Sequence, residues 1–218
     1  GEPGPVRLGF RGEAGLSGDG NGLSRGGVSV RGGSERVRYS GAVATAFTRG
    51  IYELPHDLRT NEASARIDVL PDSRWELTAT GRVMDVSSKL PVRDPGATRV
   101  PQDPNARSDR RRIIATAGAR FTASERWEHR LRAGVYRQDF LYQDRRDDVL
   151  AEIAMPPPYF VADFNLDFDS DFTRPTLEYS GAAALGPAGR PDAVVLAYGA
   201  AWEREELTET TSGDFDGV

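Results

Sequence analysis

Apolar and polar residues alternate with a period of two along most of this chain, most cleanly between Ala63 and Asp85. Trp75, Leu77, Ala79, Gly81 and Val83 share one parity, and Glu76, Thr78, Thr80 and Arg82 the other. The stretch from Arg74 to Asp85, RWELTATGRVMD, is therefore predicted to be a strand with one apolar and one polar face. Before it, across a tight Pro71-Asp72-Ser73 turn, Ala63, Ala65, Ile67 and Val69 alternate with Ser64, Arg66 and Asp68. The two runs make an antiparallel hairpin.

The same unit recurs along the chain. Val6, Leu8 and Phe10 alternate with Arg7 and Arg11; the Gly18 to Gly22 run turns; Val28 and Val30 return. Gly32 to Glu35 closes that strand onto one carrying Val37, Tyr39, Val43 and Phe47, with Gly and Ser supplying the backbone angles of the turn. Arg49 to Thr60 breaks the pattern and reads as a loop, as does the proline-studded segment from Asp85 to Arg111. Ile113 to Phe121 and Trp127 to Val135 form another hairpin about a turn at Ala123 to Arg126. The segment from Gln138 to Arg174 is expected to be irregular, except that Val161 to Phe172, VADFNLDFDSDF, alternates and suits a strand extending beyond a barrel rim. Leu177 to Leu185 and Val194 to Trp202 flank a turn at Gly186 to Arg190. About nine antiparallel strands result, and no amphipathic helix.

The connections are asymmetric. Turns near Gly33, Ser73, Ser124 and Ala188 are tight, whereas those near Tyr52, Pro95 and Pro157 are long, so the long ones share one end. Tight turns at one end, long loops at the other and a charged second face match an outer-membrane barrel. A soluble sandwich needs bulky aliphatics on its inner face and turns of similar length at both ends. Tyr39, Trp75, Phe121 and Trp127 lie near the tight turns, where an interfacial girdle of aromatic rings belongs. Strand propensity alone also places aromatics in strands.

Composition narrows the options. Only 38% of residues are hydrophobic, and no apolar run approaches the ~20 residues of a membrane helix. Barrel strands produce no such run, so a membrane barrel stays open. The net charge is -5 and the arginines are scattered, which gives no footprint for nucleic acid. With no cysteine there are no disulfides or thiol chemistry, and His56 and His129 stand apart without metal spacing. The chain does not begin with Met and ends just after a strand-like run, so a piece of a longer protein is expected.

Three stretches carry a resemblance: GFRGEAGLSGDGNGLSRGGVSVRGGSERVRYSGAVATAFTRGIYE at 9–53, TNEASARIDVLPDSRWELTATGRVMD at 60–85 and ATAGARFTASERWEHRLRAGVYRQD at 115–139. Their habit of strand, short Ser/Asp/Glu turn and aromatic restart resembles the barrel of TonB-dependent outer-membrane receptors, the importers of siderophores, cobalamin and similar nutrients. The resemblance implies a barrel of about twenty-two strands filled by a plug domain. Residues 1–218 would form part of its wall, an all-β, antiparallel up-and-down transmembrane barrel section without the plug. It further implies outer-membrane lipid, the receptor's own plug, the TonB complex and a small-molecule nutrient as partners. A passive porin or another outer-membrane barrel shares the same alternation.

Candidate ligand-facing residues in the outer loops are Tyr52, His56, Arg93, Tyr142 and Arg145. Asp163, Asp167, Asp169 and Asp171 are hard oxygen ligands at alternate positions, candidates for calcium in a receptor loop or in a secreted calcium-binding β protein. They also read as the polar face opposite Phe164, Leu166, Phe168 and Phe172. No nucleophile elbow or acid pair is present, so no enzyme is expected.

Overall fold

The computed structural model describes residues 4–16, 22–49, 57–90, 105–145, 151–153, 160–185 and 194–217. They form one antiparallel sheet with strands β1 (Gly4–Leu16), β2 (Gly22–Gly33), β3 (Val37–Thr48), β4 (Leu58–Val69), β5 (Trp75–Lys89), β6 (Arg107–Ser124), β7 (Trp127–Asp144), β8 (Ala151–Ile153), β9 (Phe160–Leu185), β10 (Val194–Glu203) and β11 (Glu206–Gly217). Each strand from β1 to β7 pairs with the next in sequence; β9 then pairs with β7, and β8, β10 and β11 pair with β9. This is the up-and-down order of a barrel wall, open at β1 and at β10 and β11.

The tight turns are closed by side-chain oxygens. The Ser34 Oγ accepts from the Arg36 and Val37 amides at 3.3 and 3.2 Å, and the Asp72 Oδ1 accepts from the Arg74 and Trp75 amides at 2.7 and 3.1 Å. Between β6 and β7 the Ser124 Oγ accepts from the Arg126 amide at 3.3 Å. Short polar side chains thus occupy the backbone donors that the turn leaves without ladder partners. Gly33 has φ 147°, and a Cβ there would lie 2.2 Å from the Val37 carbonyl oxygen, so this corner requires glycine.

Among the described residues no second sheet covers this one. Among the described residues the buried apolar side chains are only Ala106 and Ala183, while Phe10 is 76% exposed, Leu196 53% and Leu131 49%. A water-soluble sandwich would bury that face against a second sheet. Along β5 the polar-face residues Glu76, Thr78 and Thr80 are half-buried, whereas Trp75, Leu77 and Ala79 are exposed, which marks the polar face as the concave one. The fold is therefore an all-β partial barrel, with its apolar face outward and its charged face toward the lumen.

The register shows a reversal of polarity along the strands. Val43, Ala63, Val83 and Ile113 lie in one outward row, with the alanines, valines and leucines toward the tight turns on the same face. One row further from those turns, Asn61, Asp85, Arg111, Asp139 and Asp171 stand side by side on that face. From Trp75 to Val83 the apolar outer face of β5 runs roughly 27 Å along the strand at ~3.4 Å per residue, the low end of the ~9–11 residues usual for the strands of membrane barrels. Beyond it the outer face is charged, and the lumen face of β7 and β9 turns aromatic.

This reversal explains where the sequence expectations fell short. Much of Gln138 to Arg174 is regular: β7 continues to Asp144, and β9 is a single strand of 26 residues that joins Val161 to Phe172 with Leu177 to Leu185. β5 likewise reaches Lys89 and β6 starts at Arg107, inside the expected loop. β11 takes up the strand-like run expected before the end of the sequence, to which no hairpin was assigned because its outward Glu206, Thr208 and Thr210 offer no apolar parity.

Candidate functional site

The lumen face has two tiers. The lower tier, nearer the tight turns, is a set of arginine and carboxylate groups from neighbouring strands. Arg66 on β4 grips Asp68 with its Nε at 2.9 Å, and Thr78 on β5 donates to the same carboxylate at 2.9 Å. Asp68 is 5% exposed, the most enclosed charged group of this tier. Arg120 on β6 donates to Glu128 at 2.7 Å and approaches Glu76 at 3.5 Å, while Arg130 donates to Glu128 at 2.6 Å. Arg82 meets Glu62 at 3.0 Å, and the Thr80 and Thr116 hydroxyls lie 2.6 Å apart. Alternation places each of these side chains inward, and register places their partners opposite. Such a hydrophilic wall suits water or a polar domain and is too charged for a packed core.

The upper tier is different. Tyr136, Phe140 and Tyr142 on β7 and Phe168 and Phe172 on β9 alternate between the two strands on the lumen face. Tyr136 and Phe172 meet edge to face at 5.8 Å, and Phe140 and Phe168 lie 5.9 Å apart. Arginines join them: Arg110 on β6 lies 5.0 Å over the Phe140 ring and Arg174 6.0 Å over Tyr136. The Arg112 Nε donates to Gln138 at 2.9 Å, and the Tyr136 hydroxyl donates to the same oxygen at 3.0 Å. The Arg110 Nε is buried and has no hydrogen-bond partner.

The expected ligand residues fall partly here. Tyr142 lies on the lumen face with its hydroxyl 3.4 Å from Asp144. Arg145 is at the rim, its backbone amide donating to Asn105 Oδ1 at 3.1 Å beside the start of β6. Tyr52, His56 and Arg93 lie outside the described residues. Tyr136, Phe140, Arg110 and Arg112 do not stand out in the sequence: Tyr136 reads as one more polar-face residue of its strand, Arg110 falls in the loop expected from Asp85 to Arg111, Phe140 in the segment expected to be irregular from Gln138, and the lumen face is expected to be polar throughout. The detectable signal was the Phe and Asp alternation of β9, opposite in sense to that of the strands before it.

Asp167, Asp169 and Asp171 stand on the outer face of β9, opposite Gln143, Leu141 and Asp139 of β7. Residues two apart on a strand are ~7 Å apart, and among the described residues no three acidic or imidazole groups gather as a metal site. Arg137 instead donates to Asp139 at 2.8 Å and to Asp171 at 3.3 Å. The side chain of Asp163 lies outside the described residues.

The aromatic residues near the tight turns all face outward. Trp75 stacks on Phe121 at 4.5 Å, and the row continues to His129, Tyr179 and Tyr198 through ring separations of 6.2 to 6.5 Å. Trp127 lies 6.3 Å from His129, whose Nδ1 is 2.9 Å from the Tyr179 hydroxyl. Tyr39 lies over Gly32, its hydroxyl 3.0 Å from where a Cβ would stand. Rings with polar edges suit the boundary between hydrocarbon and headgroups.

No family model matches the chain, and no curated protein matches it. Among solved structures it is similar to the RagAB peptide importer in its open-open state, with TM-score 0.50 and 10% identity over 90% of this chain. It is also similar to that importer in its closed-closed state, with TM-score 0.48 and 11% identity over 90% of this chain. In both cases it spans 30% of the other chain's length. At such identity the likeness is one of fold.

Proposed function

We propose that this chain forms part of the wall of an outer-membrane β-barrel that imports a scarce nutrient. The carrying observation is the pairing of an uncovered apolar outer face, bounded by aromatic rings below and charges above, with a charged lumen face. The outer face suits lipid. The lower lumen tier suits a polar plug, and the TonB complex would supply energy for import, as in the receptors whose hairpins these resemble. The cargo would be a siderophore–iron complex, cobalamin or, by analogy with the RagAB importer, a peptide.

The test is made in cells expressing the complete gene. The protein should fractionate with the outer membrane and migrate faster on gels when unheated. Uptake of labelled cargo should collapse when the proton-motive force is dissipated. Uptake that survives dissipation would indicate a passive porin. A protein folded and monomeric in detergent-free buffer would refute the membrane reading.

A further inference from the structure

The tight turns repeat one short pattern of residues. Ser34-Glu35-Arg36 precedes Val37 and Tyr39, Asp72-Ser73-Arg74 precedes Trp75, and Ser124-Glu125-Arg126 precedes Trp127. Their local geometry repeats as well. In each, the first side-chain oxygen accepts from the arginine amide, at 3.3, 2.7 and 3.3 Å. The arginine carbonyl in turn accepts from the next hairpin, from the Leu70, Thr122 and Ala184 amides at 2.7, 2.8 and 2.9 Å. Both bonds use main-chain atoms of the arginine, so the turn does not depend on its guanidinium. Arg36, Arg74 and Arg126 are exposed, as are Glu35, Asp72 and Glu125, and among the described residues none of the three arginines makes an ion pair. A turn of this kind needs its Ser or Asp acceptor and leaves the arginine position open to other residues. Beside Arg74 and Arg126 stand the outward rings of Trp75 and Trp127, 39% and 47% exposed, where hydrocarbon gives way to headgroups. The fourth tight turn, Gly186 to Arg190, lies outside the described residues.

From this we infer that the tight turns are docking sites for the phosphoethanolamine headgroups of the leaflet on their side of the membrane. The guanidinium takes the phosphate through paired N–H donors. The neighbouring carboxylate takes the ammonium: Glu35 and Glu125 in two of the turns, and in the third Asp72, which spends its Oδ1 on the turn amides and offers its Oδ2. The adjacent indole lies along the glycerol and the upper acyl chain. A headgroup with a phosphate and no ammonium would set its charge against those carboxylates. Phosphocholine has no N–H bond to donate to them. The inference rests on the membrane reading above and goes beyond it by naming the lipid.

The complete protein is folded into vesicles of phosphatidylcholine, either alone or in equal mixture with phosphatidylethanolamine or phosphatidylglycerol. The guanidinium chloride midpoint of unfolding is read from the gel shift of unheated samples. Phosphatidylethanolamine should raise the midpoint above that in either of the other vesicles. Arg36→Gln, Arg74→Gln and Arg126→Gln combined should lose most of that rise, because the backbone bonds of the turns remain while the phosphate partners are gone. The single Arg74→Gln gives a partial loss should the triple variant not insert. Glu35→Gln with Glu125→Gln should narrow the lead over phosphatidylglycerol, and Arg132→Gln, on the lumen face, should keep the whole rise. The inference is overturned if the rise is absent or survives intact in the arginine variants. It is also overturned if phosphatidylglycerol raises the midpoint as much as phosphatidylethanolamine, which would make any anionic surface the partner. A protein that inserts into none of the vesicles would defeat the membrane reading itself, whereas insertion with equal midpoints in all three would leave that reading standing.

Discussion

The ring of Tyr198 on β10 lies across the backbone of Gly181 on β9, so that a Cβ on Gly181 would come within 2.3 Å of the Tyr198 Cζ. The two residues face each other in register, and the glycine leaves the space in which the ring stays close to Tyr179 and His129. Gly181→Ala forces the ring off that position. A cost of about 1–3 kcal/mol is expected, as for overpacking elsewhere. It should appear as a lower unfolding temperature of the complete protein in detergent; an unchanged temperature would mean that the ring does not depend on the glycine.

Pro175 interrupts the last strand pair. β10 and β11 pair with β9 in one register, with Glu203 opposite Thr176 and Glu206 opposite Thr173. Between them the Arg204 amide donates to the Pro175 carbonyl at 3.2 Å, but proline has no N–H to return the bond. Pro175→Val should add that bond and fuse the two segments, with a gain of about 1 kcal/mol. Hydrogen exchange should slow at Arg204 and Glu206. Unchanged exchange there would locate the cause of the break elsewhere.

The assignment of faces is tested by a pair of changes on one strand. Leu131 points outward within the apolar band and Arg132 points into the lumen, facing Gly118 and Glu178. Leu131→Arg in a bilayer should cost about 2–4 kcal/mol, the range for a cation near the midplane of a barrel's lipid face. Arg132→Leu should change stability by less than about 1 kcal/mol, as lumen substitutions tune contents more than insertion. Equal effects, measured by folding into liposomes, would contradict the assignment.

Asp68 is the anchor of the lower lumen tier. Its carboxylate takes a bidentate pair of bonds from the Arg66 Nε and Nη2, at 2.9 and 2.8 Å, and one from Thr78 while being 5% exposed. Asp68→Ala strands the Thr78 hydroxyl and one edge of Arg66, with an expected loss of about 1–3 kcal/mol. Asp68→Asn keeps an acceptor for Thr78 and should lose less. Arg66 itself is half exposed, so solvent screens much of the ionic part. Denaturant unfolding in detergent separates these outcomes; equal losses for both variants would assign the effect to charge alone.

The amount that was legible in the residues depended on height along the barrel. Where the outer face is apolar and the lumen face polar, β4 and β5 display both faces in their alternation, and the Asp72 and Ser124 turns announce themselves by their side chains. Above the apolar band that rule lapses. Outward positions such as Asp85, Arg111 and Asp139 are charged there, so the strands read as loops although their hydrogen-bond ladders continue.

The sequence by itself determined the period of two, the antiparallel hairpins, the end at which the short turns lie and the apolar band, because each follows from local alternation and turn chemistry. Only the tertiary structure decided that β9 runs unbroken through Pro175, that Asp169 and Asp171 face outward, and that Arg110, Phe140 and Phe172 share one lumen wall. Those facts depend on register between strands distant in the chain. Register is settled by how whole ladders align, which local alternation does not encode once both faces are polar or their polarity has been exchanged.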